Sequence, residues 1–599
     1  MQAIILAAGM GKRLKEYTSN NTKCMVSVCG HTLIERALTK LHEKGLSRVV
    51  IVIGYKGREL QEYIESLNVG IPIVFIDNPI YDKTNNIYSL YLAKDYLCEE
   101  DTILLESDII FESSVLDALL DDERESLVLV DKYKSWMDGT CLKLSDDDTI
   151  SDFISGKKLV YTERDKYYKT VNIYKFSKEF STNKYVPFLE AYSKALGNNE
   201  YYEQVLKVLA VLEDSGIYAK RLNGQKWYEI DDALDLDIAE SMFSEGKTHL
   251  NLMEKRYGGY WRYPDLLDFC YLVNPYFPPR QMKEEMKASY EDLLCAYPSG
   301  MSINSLLASK NLGIKQNKTV VGNGAAELIK ALMEHFDGTF GIIRPSFEEY
   351  GHRVGEDRLV VFTPDNADFS YTCDDVIAFF GNKSISNLVI INPDNPSGNY
   401  LCHADVLRLF DWAAARDIRL IYDESFSDFS TETVNTVLSD DILEKYPSLY
   451  VVKSFSKSYG VPGLRLGILA SADTALIDYL KKDVAIWNIN SFAEHFMQIL
   501  GKYEKFYALS TEKLAEERDY LTRSLSGING IRVIPSQANY VMAELTGSVN
   551  SETLTLILLE KHNILIKNLA AKTGGNYMRI AVRDRHDNDL LLAALKEEL

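Results

Sequence analysis

Two blocks of alternating apolar runs and helical patterns, separated by an irregular stretch, constrain this chain most. In the first block, "AIILAAG" (3–9), "RVVIVIGY" (48–55), "IPIVFID" (71–77) and "TILLESD" (102–108) are short and rich in Ile and Val, as strands buried on both faces are. "TLIERALTKLHEKG" (32–45) is an amphipathic helix pattern closed by Gly45. Strand, helix, strand predicts parallel pairing and a doubly wound α/β sheet. Residues 241–264 mix charge, glycine and aromatics without a period. A second α/β block follows, with "FGIIRPSF" (340–347), "NLVIINPDNPSG" (387–398), "IRLIYDESF" (418–426) and "LYVVKSFSK" (449–457) as strands entering polar turns. The expectation is a first domain over 1–245, a linker over 246–257 and a second domain over 258–599. A length of 599 residues exceeds what one core supports and agrees with that division.

The formal net charge is -21, which argues against a nucleic-acid partner, because phosphate-backbone binding needs a basic face. Eight cysteines lie scattered, without zinc spacing, and read as reduced thiols. No signal-peptide pattern and no apolar run of spanning length is present, so the expected location is the cytoplasm, with no membrane partner.

"LAAGMGKR" (6–13) follows the first strand directly. Ala7, Ala8, Gly9 and Gly11 let backbone N–H groups approach an anion, and Lys12 and Arg13 add positive charge. That turn alone fits a tight strand–helix connection equally well. Its neighbours add to it. Lys23 follows shortly, Asp108 ends an apolar strand and Asp231 in "WYEIDDALDLDIAE" (227–240) ends another. Two such carboxylates suit Mg²⁺, although Asp231 alone also reads as a helix cap. "DKYKSWMDGTCLKL" (131–144) offers Lys132, Trp136 and Asp138 either as groups for an acceptor's charged ends or as a solvated edge hairpin.

This half resembles the nucleotidyltransferases that join an NTP to a phosphorylated small molecule. With "YDKTNNIYSLYLAKDYL" (81–97) and "YEID" (228–231), it is similar to the phosphocholine-type cytidylyltransferases. The resemblance implies a Rossmann-like nucleotidyltransferase sheet. It implies CTP over Leu6, Ala7, Ala8, Gly9 and Gly11, with Arg13 and Lys23 on the triphosphate as catalytic groups. Mg²⁺ would lie between Asp108 and Asp231, and Asn85, Asn86 and Ser89 near the nucleotide or acceptor.

In the second block "KSFSKSYGVPGLRLG" (453–467) sets Lys457 among serines. "VVGNGAAELIKAL" (320–332) opens a helix with small residues, a favourable anion site. Asn395 sits in a proline-fixed turn, Asp423 ends a strand and Arg579 lies within one near the end of the sequence. With "LLDFCYLVNPYFPP" (266–279), "YPSG" (297–300) and "GNGAAELI" (322–329), this set resembles the fold-type I aminotransferases that use pyridoxal phosphate, nearest to the histidinol-phosphate aminotransferase and threonine-phosphate decarboxylase group. The resemblance implies Lys457 as the residue bonded to the cofactor and Asp423 on the pyridinium nitrogen. It places Asn395 on the ring hydroxyl and Phe347, or less so Tyr350, against the ring. Ser454, Ser456, Arg465 and the backbone of Gly324, Ala325 and Ala326 would grip its phosphate. Tyr297 would reach into the neighbouring subunit of a homodimer, and Arg579 would hold an acidic group of the substrate. The family's usual tyrosine three residues after the aspartate is here Phe426. The substitution leaves transamination and decarboxylation both open.

Together the halves resemble fused phosphonate cytidylyltransferase–aminotransferases. CTP, 2-aminoethylphosphonate and an amino donor are then the expected partners, with pyrophosphate released. The alternative is a phosphocholine or phosphoethanolamine cytidylyltransferase fused to a histidinol-phosphate-type aminotransferase or threonine-phosphate-type decarboxylase. A regulatory binder without activity is a third reading, and the intact set Lys457, Asp423, Asp108 and Arg13 opposes it.

Overall fold

A computed structural model describes residues 1–212 and 215–599. The chain divides into two compact units, Met1–Arg262 and Tyr263–Leu599. Residues 246–255, expected within a linker, instead form the helix Gly246–Lys255, which buries Leu250 and Met253.

All four expected strands of the first unit are present. Thr102–Glu106, Gln2–Ala7, Val49–Ile53 and Ile73–Asp77 lie side by side and parallel, in that order. Val49–Ile53 is buried at every residue, which explains its unbroken Ile/Val run. The helix Leu33–Glu43 starts at a capping box between Thr32 and Glu35 and buries Leu33, Ile34, Leu38 and Leu41. The sheet does not stay parallel. Tyr167–Phe176 pairs antiparallel with Thr102–Glu106 and extends it into a mixed sheet of nine strands.

The stretch 131–144 is not a hairpin. Leu127–Lys132 and Thr140–Leu144 do not pair with each other; each pairs antiparallel with Tyr167–Phe176. The register of that central partner shifts between Thr170 and Tyr174, and Asn172 adopts φ 59°. This bulge turns Lys169 and Asn172 toward the carboxyl ends of the parallel strands, as bulges beside sites do.

The second unit is built on a seven-stranded sheet. Its order is Thr319–Asn323, Leu466–Ala470, Leu449–Ser454, Arg419–Asp423, Asn387–Ile391, Phe340–Ile343, Leu359–Phe362. Only Leu466–Ala470 runs against the rest. The polar turns read from the sequence leave this sheet at one edge. A smaller antiparallel sheet, Ile531–Ile534, Tyr540–Leu545, Tyr577–Ala581 and Lys567–Asn568, carries Arg579. Among the described residues, no helix is long and apolar enough to cross a membrane.

Candidate active sites

In the first unit a cavity of about 820 Å³ opens at the carboxyl ends of the parallel strands. Leu6, Ala8, Gly9, Gly11, Arg13, Lys23, Asn85, Asn86, Ser89, Asp108, Asp138 and Asp231 line it; Ala7 lies buried in the strand behind. Asp108 sits in the turn between Thr102–Glu106 and Ile109–Phe111. Asp231 follows Trp227–Glu229, and the Ile230 N–H donates to Asp108 O at 2.9 Å, which locks the two turns together.

Lys23 Nζ stands between the carboxylates, 2.5 Å from Asp108 Oδ2 and 2.7 Å from Asp231 Oδ1. Arg13 Nη2 reaches Asp231 Oδ1 at 2.7 Å. Burial alone would lower the Lys23 pKa, but Asp108 and Asp231 outweigh it and raise the ammonium well above its ordinary value. Burial likewise opposes the Asp231 carboxylate, yet Lys23 and Arg13 hold its pKa down. The cap of the following helix, Ala233–Phe243, is Asp232, not Asp231: Asp232 Oδ1 accepts from the N–H groups of Leu234 and Asp235. Asp231 is thereby left for the cavity.

These residues fit a divalent ion. Carboxylate oxygens of Asp108, Glu229 and Asp231 lie within 4.8 Å of one another. The buried Asp108 Oδ1 has no hydrogen-bond partner. Glu229 was missed in the sequence although it lies two residues before Asp231, the spacing that puts strand side chains on one face. Lys169 also escaped notice. It is 2% exposed and pairs with Glu229 Oε2 at 3.2 Å, and Asn172 Nδ2 donates to Glu229 Oε1 at 3.2 Å. Only the bulge brings both there, and no local sequence signal marks it.

Two expected acceptor residues stand away from the cavity lining. Lys132 Nζ donates to Asp165 O and lies 4.4 Å from the Tyr168 ring centroid, held by the neighbouring strand. Trp136 stacks on Tyr228 at 4.5 Å and packs against the core. Asp138 lines the cavity as an exposed residue, its Oδ1 accepting from the Gly139 N–H at 2.7 Å.

In the second unit Lys457 lies in the short helix Phe455–Ser458 after the strand Leu449–Ser454. Its Nζ is 3.7 Å from the Phe426 ring centroid and 5.7 Å from that of Phe347. Burial pushes its pKa down to about 8, with Asp423 opposing and Arg579 reinforcing the shift. Asp423 Oδ2 accepts from Tyr350 OH at 2.9 Å and Oδ1 from the Ser425 N–H at 2.9 Å. Tyr350 is thus engaged by Asp423, and the Phe347 ring lies farther from Lys457 Nζ than the Phe426 ring does. Arg579 Nη1 donates to Asn395 Oδ1 at 2.6 Å and Nη2 to Cys270 O at 2.8 Å, while its buried Nε has no partner.

The anion cradle is tight. Gly324, φ 79°, precedes the helix Ala325–His335, and a Cβ there would lie 2.5 Å from Arg465 Nη2. A Cβ at Gly467 would lie 2.2 Å from the Ala325 nitrogen. Ser454 Oγ accepts from the Ser456 N–H at 3.3 Å beside them. A half-buried lysine of lowered pKa, a buried aspartate and this cradle together fit pyridoxal phosphate. Tyr297 stands apart, 81% exposed, with its ring 4.5 Å from that of Trp487.

A family model for class I and II aminotransferases matches residues 289–595, and one for the MobA-like NTP transferase domain matches residues 3–142. The chain belongs to the class I and II aminotransferase family. Pyridoxal phosphate is the cofactor that this family carries, and a nucleotidyltransferase domain precedes it in the same enzyme. Over its whole length the chain is 31% identical to CMP-5'-(3-aminopropyl)phosphonate synthase of Streptomyces rubellomurinus, covering 95% of that protein. L-serine phosphate decarboxylase of Sulfurospirillum multivorans is 32% identical over 56% of this chain and 88% of its own. Among solved structures, a decarboxylase from Sulfurospirillum multivorans superposes with a TM-score of 0.52 at 30% identity, over 56% of this chain and 90% of its own. The histidinol-phosphate aminotransferase of Clostridium acetobutylicum gives 0.50 at 25% identity, over 55% and 98%.

Proposed function

We propose that the first unit transfers CMP from CTP to an aminoalkylphosphonate and that the second carries out pyridoxal-phosphate-dependent transamination that forms or consumes that amine. The observation that carries this reading is the full-length similarity to a CMP-aminopropylphosphonate synthase, which spans both units.

A phosphonate oxygen of the acceptor attacks the α-phosphorus of CTP, the bond to the pyrophosphate oxygen breaks, and pyrophosphate leaves. No protein nucleophile is required. The glycine-rich turn 6–11 receives the nucleotide, and Arg13 and Lys23 neutralise charge that develops on the leaving group. Asp108, Asp231 and Glu229 would hold Mg²⁺, which supplies further neutralisation when bound. Lys169, already inside the cavity, replaces Lys132 as the cation for the acceptor's anionic end.

In the second unit, pyridoxal phosphate supplies an electron sink for the substrate's α-carbon when bound. Lys457, whose lowered pKa of about 8 gives it a larger neutral fraction near neutral pH than an ordinary lysine, holds the cofactor and moves the proton at the α-carbon. Asp423, oriented by Tyr350, would keep a pyridinium N–H charged. Arg579 binds an acidic group of the substrate, and Gly324, Ser454, Ser456 and Arg465 the cofactor phosphate. The exposed Tyr297 is assigned to the partner subunit's cofactor in a homodimer.

One observation favours a second reading for this unit, α-decarboxylation of an amino acid precursor. L-serine phosphate decarboxylase of Sulfurospirillum multivorans is similar to this half of the chain over most of its own length. The test of both is one assay series. CTP, Mg²⁺ and aminoalkylphosphonates should yield pyrophosphate and a CMP ester. Amine exchange with a keto acid supports transamination; CO₂ release from the amino acid supports the second reading. No pyrophosphate with any phosphonate refutes the proposal for the first unit.

A further inference from the structure

The inner wall of the first unit's cavity is acidic and lies outside the carboxylate group Asp108, Glu229 and Asp231. Glu106 ends the strand Thr102–Glu106, and Glu203 begins the helix Glu203–Ala210; both line the cavity. Asn86 ties them together. Its Nδ2 donates to Glu106 Oε1 at 2.9 Å, and its Oδ1 accepts from the Tyr202 N–H at 3.1 Å. The backbone beside it is pinned in the same way, with the Asn85 N–H donating to Asn198 O at 3.0 Å and the Ile87 N–H to Glu200 O at 3.3 Å.

Glu203 is 7% exposed, and its buried Oε2 has no hydrogen-bond partner. Among the described residues neither Glu106 nor Glu203 forms an ion pair, and Lys169 in the same cavity is engaged by Glu229 at 3.2 Å and Thr170 O at 2.8 Å. A buried carboxylate oxygen without a donor is costly, and a ligand that donates to it removes that cost. A triphosphate is a poor partner for it, because phosphate oxygens accept hydrogen bonds and have none to give. A quaternary ammonium has no N–H to give and would leave Oε2 unpaired. A primary ammonium brings three donors and a positive charge.

We propose that Glu203, with Glu106 beside it, is the subsite for the primary ammonium group of the acceptor and sets the preference for aminoalkyl over amine-free acceptors. The proposal deepens the CMP-transfer reading and rests on it. The carboxylates fix the amine end, and the anionic end is left to face Lys169 and the nucleotide. The wall is built from the same "TNN" segment whose asparagines resembled nucleotide or acceptor ligands. Asn86 acts by positioning the two glutamates.

The test compares matched acceptors at saturating CTP: 2-aminoethylphosphonate against ethylphosphonate, and 3-aminopropylphosphonate against propylphosphonate. Pyrophosphate release gives kcat/KM for each in the wild-type full chain, in Glu203→Gln and in Glu203→Asp. The wild type should prefer the amine in the pair it accepts, and Glu203→Gln should cut that ratio by at least about tenfold through KM, with the KM for CTP held. Glu203→Asp keeps the charge and should retain part of the preference, which a merely structural role would not predict. An unchanged ratio in folded Glu203→Gln overturns the subsite while leaving CMP transfer standing. Wild-type protein that releases pyrophosphate with none of the four acceptors overturns the transfer reading and the subsite with it.

Discussion

Lys457 Nζ lies 3.7 Å from the centre of the Phe426 ring, at the position where the resembling aminotransferases carry a tyrosine hydroxyl. The lysine thus faces a hydrocarbon surface, and burial lowers its pKa to about 8. A lowered lysine pKa means that the neutral, nucleophilic amine gains population as pH rises through about 8, not through the ordinary value of about 10.4. The rate at which cofactor-stripped protein takes up pyridoxal phosphate should rise with pH across that midpoint, read by visible absorbance. Asp423 raises this pKa and Arg579 lowers it, so Asp423→Asn should shift the midpoint down and Arg579→Gln should shift it up. Shifts of one sign in both variants would contradict this electrostatic account. Lys457→Ala should abolish the absorbance and the amine chemistry, with pyrophosphate release retained in the other unit.

Adjacent aspartates should behave differently. Asp108→Ala removes a carboxylate that converges on Lys23 and the candidate metal position, and should cut pyrophosphate release by at least about 100-fold. Asp231→Ala should do the same. Asp232→Ala instead loses the cap of Ala233–Phe243, which should cost about 1 kcal/mol in urea denaturation of the first unit with transfer activity kept. Transfer lost in Asp232→Ala and kept in Asp231→Ala would reverse the assignment.

The first lysine of "KSFSKSYG" has a structural part to play. Lys453 is buried and pairs with Asp428 at 2.8 Å and Glu424 at 3.4 Å. Lys453→Ala removes the cation from the buried Glu424, which keeps only Thr436 and the Val437 N–H, and from the half-buried Asp428, and should destabilise the second unit by about 3–5 kcal/mol. Chemical denaturation followed by circular dichroism measures this directly. A loss below about 1 kcal/mol would remove the lysine from the core network.

Strands and turns were legible because the parallel strands are buried on both faces, so their apolar runs stand out, and because Gly324, Asp423 and Lys457 stand at or just beyond strand ends of such a sheet. Asp231 was legible as one of two adjacent aspartates, but only the capping geometry separates it from Asp232. Lys132 and Trp136 misled, since a charged and aromatic loop looks the same whether it faces a ligand or a neighbouring strand. Lys169 and Glu203 gave no local signal, and Glu106 only its two-residue spacing from Asp108; a register shift and a distant asparagine bring them to one cavity.

The central claim is that the first unit activates a primary amine bearing a phosphonate. Its most direct measurement is kcat/KM for 2-aminoethylphosphonate against phosphocholine, by pyrophosphate release at saturating CTP and Mg²⁺. A primary ammonium satisfies buried acceptors that a trimethylammonium group leaves unpaired, a difference of about 1–3 kcal/mol. The account predicts a preference for 2-aminoethylphosphonate of at least about tenfold. Equal values, or a preference for phosphocholine, would contradict it.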